Sequence, residues 1–229
     1  MSVPKREEDH LLDFVVLSPS SRHPWRRRAT PRWCSGTLYY PAAMRKRILV
    51  PAATFGALLV VALTLLAFGA GPEGTLLAAR NTARFSSLVF SLALLAWAAG
   101  RAAAPALTWA FVSAHLVHYG AVFAQIFVNA EARAHLLATR GMVFSAAGLA
   151  LALTIGFTTS ARSRAGTSLH RAAASIAALS FLMALVVGAI RGHRIDVALA
   201  VFLVASIAVA AHRAFIAHRE MRRRCSAAN

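Results

Sequence analysis

Six long stretches without a charged side chain govern what this chain can become: residues 48–71, 85–100, 102–130, 141–161, 172–190 and 197–211. A helix needs roughly 20 consecutive apolar residues to cross a bilayer core, at about 1.5 Å per residue. The first, third, fourth and fifth stretches reach about that length. The second is closed by Arg84 and Arg101, and the sixth extends through His212 to Phe215; long cationic stems at such ends reach back to the interface. The pattern predicts an all-α fold, an integral membrane bundle of six transmembrane helices.

Composition agrees with a lipid environment. Apolar residues make up 58% of the 229, more than a soluble core requires. A net charge of +17 would suit a nucleic-acid binder if the basic residues formed a reading face, but they flank the apolar stretches instead. Counted on alternate sides of the six spans, 19 Lys and Arg fall on the side of residues 1–47, Arg101, Arg162 to Arg171 and Arg213 to Arg224, and six on the other. The positive-inside rule then puts both termini in the cytoplasm of a multi-pass inner-membrane protein, with the bilayer as its first partner.

Residues 1–43 combine Pro4, Pro24, Pro31 and Pro41 with Arg26, Arg27 and Arg28 and lack apolar periodicity, so they read as a basic, disordered leader. Residues 44–216 form the transmembrane domain and 217–229 a basic cytoplasmic tail, with Arg222 to Arg224 against anionic headgroups. Met44-Arg45-Lys46-Arg47, directly ahead of the first span, is a typical inner-membrane start, and translation is expected to begin at Met44. Cys34 and Cys225 both fall in cytoplasmic segments, where thiols stay reduced and no disulfide is expected. No C-x-x-C-H occurs, no G-x-G-x-x-G follows a strand pattern and no P-loop is present. Covalent haem, a dinucleotide and ATP are therefore not encoded, and any electrons must come from elsewhere.

With carboxylates absent from the span interiors, histidines are the candidates for chemistry. His115 and His118 lie in the third span and His170 at the start of the fifth. Spacing i, i+3 puts the first two on one helix face, about one turn apart in depth. An imidazole in a membrane needs a hydrogen-bond partner or a metal. The third and fifth spans enter from the same side, and parallel helices can present one imidazole to each face of a planar cofactor, for which haem b suits the geometry. His115 is ten residues beyond Pro105, whereas His170 is only four past Gly166, so the two differ in depth. His10, His23, His135, His193, His212 and His218 read as solvated or interfacial. Arg80 and Arg84 read as membrane-edge anchors, or as partners for haem propionates.

Short motifs add a resemblance. Arg80-x-Thr82-Ala83-Arg84-Phe85-Ser86, Ser113-Ala114-His115-Leu116-Val117-His118, Thr159-Ser160 and Leu169-His170-Arg171 together resemble the ferric-reductase-like transmembrane family, over about residues 50–215. That family includes the membrane subunit of the periplasmic methionine sulfoxide reductase system. The resemblance implies one non-covalent haem b with iron held axially by His115 and His170. His118 is either an alternative ligand or a residue supporting the ligands. Single electrons would come from a quinol or a separate flavoprotein, and the chain would serve as the electron-transfer subunit of an oxidoreductase. Family members often carry a second histidine about thirteen residues after the Leu-His pair; here that position is Met183, and the usual Trp upstream is Gly166. One haem, not two, follows.

The alternative is a cofactor-free polytopic membrane protein, a small transporter or an assembly factor, in which the histidines bond neighbouring helices. A bare metal ion on the histidines would lack carboxylate or thiolate co-ligands. The expected start at Met44 has a direct check: the intact mass of the natively produced protein excludes residues 1–43, and a mass that includes them overturns it.

Overall fold

The structure is a computed structural model, described over residues 42–159 and 164–227. It is all-helical there, with α1 (Ala42–Phe68), α2 (Pro72–Ala98), α3 (Ala104–Val128), α4 (Ala130–Leu137), α5 (Thr139–Thr158), α6 (Arg164–Ile190) and α7 (Arg194–Ala227). All but the last two residues of the leader, and with them Cys34, lie outside the described residues. Four helices, α1, α3, α6 and α7, are long and apolar enough to cross a membrane. α2 is as long as α1 but carries Glu73, Arg80 and Arg84 in its first half, and the apolar part of α5 covers only Ser145–Thr158. The connection expected between the third and fourth stretches contains α4. The stretch read as a basic tail continues α7 without a break to Ala227.

Local chemistry sets the helix ends. Pro72 and Pro105 stand in the first turns of α2 and α3, where a missing N–H costs nothing. Gly69, Gly100 and Gly192 adopt positive φ of 78°, 61° and 86° at the turns after α1, α2 and α6, a backbone state that side chains with a Cβ resist. The short turns make consecutive helices antiparallel neighbours. Named contacts give the rest of the topology: Lys46 lies over Trp109 and Thr54 bonds Ser113, so α1 and α3 run parallel, while Phe90 packs on Phe111 and Thr82 meets His118, so α2 and α3 run antiparallel.

The interior is built from small and polar side chains around a few aromatic ones. Thr82, Ser86, Ser87 and Ser91 of α2 are buried, as are Ala106, Ala110 and Ala114 of α3. Phe90, Phe111 and Leu203 are the large, fully buried side chains. Outside, Leu63 and Leu66 of α1, Phe123 and Phe127 of α3, Leu179 and Ile190 of α6 and Val201 of α7 are exposed. Water would penalise such a surface heavily, whereas lipid accepts it, and small buried residues allow the close helix approach on which membrane packing relies.

One ion pair ties α2 to α7. Arg84 donates from Nε to Asp196 Oδ1 at 2.5 Å and from Nη2 to Oδ2 at 2.8 Å, and its Nη1 donates to Asn81 Oδ1 at 3.0 Å. Asn81 donates in turn to Thr64 of α1. Asp196 is 4% exposed. Gly188 of α6 makes room for the pair, because a Cβ there would collide with the Asp196 carboxylate, itself held by two bonds. Gly188→Ala is therefore expected to destabilise the detergent-solubilised protein by about 1–3 kcal/mol. Gly120→Ala, inside α3 and facing open space, leaves thermal unfolding unchanged or slightly raised, since alanine is the better helix former. Equal melting of the two variants would contradict the arrangement.

Candidate functional site

His115 and His118 come together on α3, with ring centroids 5.3 Å apart, but they serve different neighbours. The Nδ1–H of His118 donates to the Ala79 carbonyl at 3.0 Å, and the same nitrogen lies 3.3 Å from Thr82 Oγ1. A carbonyl only accepts, so the tautomer carries its proton on Nδ1. His118 thereby fastens α3 to α2. His115 turns toward α6: Phe111 stacks on its ring at 5.4 Å and Phe181 meets it edge-on at 5.5 Å. Its Nδ1 is buried and without a hydrogen-bond partner, a condition shared among the described residues only by Ser86 Oγ.

His170 sits elsewhere. It lines a cavity of about 280 Å³ bounded by α2, α3, α5, α6 and α7, with Phe90, Trp97, Phe111, Ile155 and Ala178 among its walls and Arg171 beside them. The walls are mainly apolar. The Thr158 hydroxyl donates to the Thr154 carbonyl at 2.5 Å, so its oxygen accepts from His170 Nδ1–H at 3.1 Å. That bond, with a further one to the Ile155 backbone, orients the ring, and with its proton on Nδ1 the imidazole carries the unprotonated nitrogen at Nε2, the tautomer usual for a metal ligand.

The three candidates are thus not gathered around one space. His170 stands six residues into α6, about 9 Å along the helix, and His115 eleven residues into α3, about 16 Å. Phe111 lines the cavity and stacks on His115, which itself is not among the cavity's walls. Met183, the position at which a second haem ligand was sought, is 64% exposed on the outer surface of α6.

Sequence reasoning passed over two residues. Thr158 fixes the His170 ring, and its sequence signal was faint: a hydroxyl one helical turn after Thr154, next to the Thr159-Ser160 motif. Asp196 is the single acidic residue between Glu131 and Glu220, and it stands just ahead of the sixth charge-free stretch, outside the span interiors. Its partner corrects the reading of Arg84. That side chain is no free membrane-edge anchor or propionate partner, because its guanidinium is engaged by Asp196 and Asn81.

Fold and site define a helical protein with four helices able to span a membrane, a histidine-lined apolar cavity and a buried ion pair between helices. No family model, curated protein or solved structure matches the chain.

The role of His118 has its own test. Interhelical side-chain bonds in membranes are worth about 0.6–1.7 kcal/mol, and His118→Leu should lose that much stability by reversible unfolding in detergent. His118→Asn, which keeps a donor near the Ala79 carbonyl, should recover part of it; no loss in the Leu variant contradicts the assignment.

Proposed function

We propose that this chain is a six-span inner-membrane protein, both termini cytoplasmic, that binds one haem b and relays single electrons as ferric-reductase-like membrane proteins do. Four apolar helices support the spanning part. α2, about 40 Å long, turns back between α1 and α3, and α5 likewise between α3 and α6, which brings the count to six. The observation that carries the cofactor reading is that His170, its Nδ1–H held by Thr158, lines a mainly apolar cavity.

These residues suit a haem ligand set in part. His170 would hold the iron through Nε2, and His115, buried with an unpartnered nitrogen, is the α3 imidazole on the side of α6. His118 is committed to α2 and serves as a helix fastener in this reading. When bound, the haem would supply a one-electron couple. The chain's own contributions are separate: Thr158 orients His170, while Phe90, Trp97 and Phe111 exclude water from the cavity and so favour the less charged redox state. A quinol in the bilayer or a separate flavoprotein would be the electron donor.

One observation favours the cofactor-free alternative. Phe111, a wall of the cavity, stacks on His115, and Phe181 meets the same imidazole edge-on. In that reading the histidines are packing residues and the purified protein is colourless.

A reduced-minus-oxidised visible spectrum of the detergent-purified protein separates the two. The haem reading predicts a b-type signal in the wild type, lost in His170→Ala and in His115→Ala and retained in His118→Asn. Well-folded wild-type protein without the signal overturns it.

A further inference from the structure

The end of the bundle formed by the α1–α2 and α6–α7 turns carries a second cavity, of about 120 Å³, between α2, α6 and α7. Phe181, Ala184 and Leu185 supply apolar wall, and Arg80, Arg84, Arg191, His193 and Asp196 surround the rest. Three guanidiniums therefore face a single carboxylate. That carboxylate is used: both its oxygens accept from Arg84.

Neither of the other two cations is bonded to a carboxylate among the described residues. Arg80 Nη1 lies 3.2 Å from His193 Nε2, and since a guanidinium only donates, His193 accepts as a neutral imidazole with its remaining proton on Nδ1. The bond orients Arg80 without cancelling its charge. Arg191 forms no salt bridge among the described residues. Arg80 is half-buried beside the apolar wall, where its charge favours a counterion, and Arg191 is exposed and open to an entering anion. Liquid water takes about 30 Å³ per molecule, so the cavity has the room of a few waters, enough for a tetrahedral oxyanion. Guanidinium forks match such oxygens in pairs.

We propose that this cavity is a binding site for a phosphate-type oxyanion, gripped by Arg80 and Arg191 with the His193 Nδ1–H as a further donor. The site stands apart from the His170 cavity and does not depend on a haem. The same phosphate chemistry is offered by a lipid headgroup and by free phosphate. Arg84 is no part of the grip, since Asp196 occupies it.

The test is thermal unfolding of the full chain in a phosphate-free, non-ionic detergent, titrated with inorganic phosphate at constant ionic strength. Saturable stabilisation is expected for the wild type and for Arg133→Gln, a cation on α4. The apparent Kd should weaken at least tenfold in Arg80→Gln and in Arg191→Gln, each checked for native helix content. No saturable response in the wild type, or an unchanged Kd in both variants, overturns the proposal. A second arm identifies the source, comparing nanodiscs of phosphatidylglycerol with nanodiscs of a phosphate-free galactolipid. Loss of the phosphate response only in phosphatidylglycerol assigns the site to a lipid headgroup; its persistence in both assigns it to a soluble oxyanion.

Discussion

The Arg84–Asp196 ion pair is the interaction on which the bundle depends. It joins α2 to α7, extends through Asn81 to Thr64 of α1, and has its space set by Gly188 of α6, so four helices meet at one charge pair. An unpaired guanidinium halfway along α2 would be expensive wherever that helix met lipid. Removing one member of a buried pair typically costs about 3–5 kcal/mol, because the other is left uncompensated. The pair lets a helix with arginines in its first half pack against apolar neighbours, and it aligns α2 parallel to α7.

Along the interior the polar groups are sorted by neighbour. His118 and Thr82 hold α3 to α2 near the charge pair, and a cluster of Phe90, Phe111, Phe181 and His115 follows. The His170 cavity lies beyond, where α2, α3, α5, α6 and α7 diverge enough to leave open space. The two cavities are separated by that aromatic cluster, with Phe181 lining one and Phe111 the other. A one-electron relay at His170 and an oxyanion site at Arg80 and Arg191 would thus be insulated from each other by packed rings, as two independent functions require.

Much of the fold was legible because charge-free length is a one-dimensional property. The stretches at 48–71, 102–130, 172–190 and 197–211 correspond to the four helices apolar enough to cross a membrane, and the glycines and prolines at 69, 72, 100, 105 and 192 mark where helices turn. The continuation of α7 through Arg213, Arg219 and Arg223 was not legible, since a cluster of basic residues looks the same in a helix and in a solvated tail. For the site, residue type was readable but partnership was not. Spacing put His115 and His118 on one face, yet only side-chain directions separate a histidine bonded to α2 from one turned to α6. Asp196 finds Arg84 112 positions away, a pairing that no local pattern in one sequence encodes.

In the proposed six-span arrangement the Arg84–Asp196 pair would allow α2 to cross the membrane, although its composition alone does not mark it as a span. Side-specific labelling tests this most directly, in a chain with Cys34 and Cys225 changed to Ser and a single new cysteine at Gly71→Cys or at Arg101→Cys, the two ends of α2. An impermeant maleimide should reach the two positions from opposite sides of sealed vesicles, with Arg101→Cys on the side of the N-terminus. Labelling of both from the same side would mean that α2 does not cross, and would contradict the account.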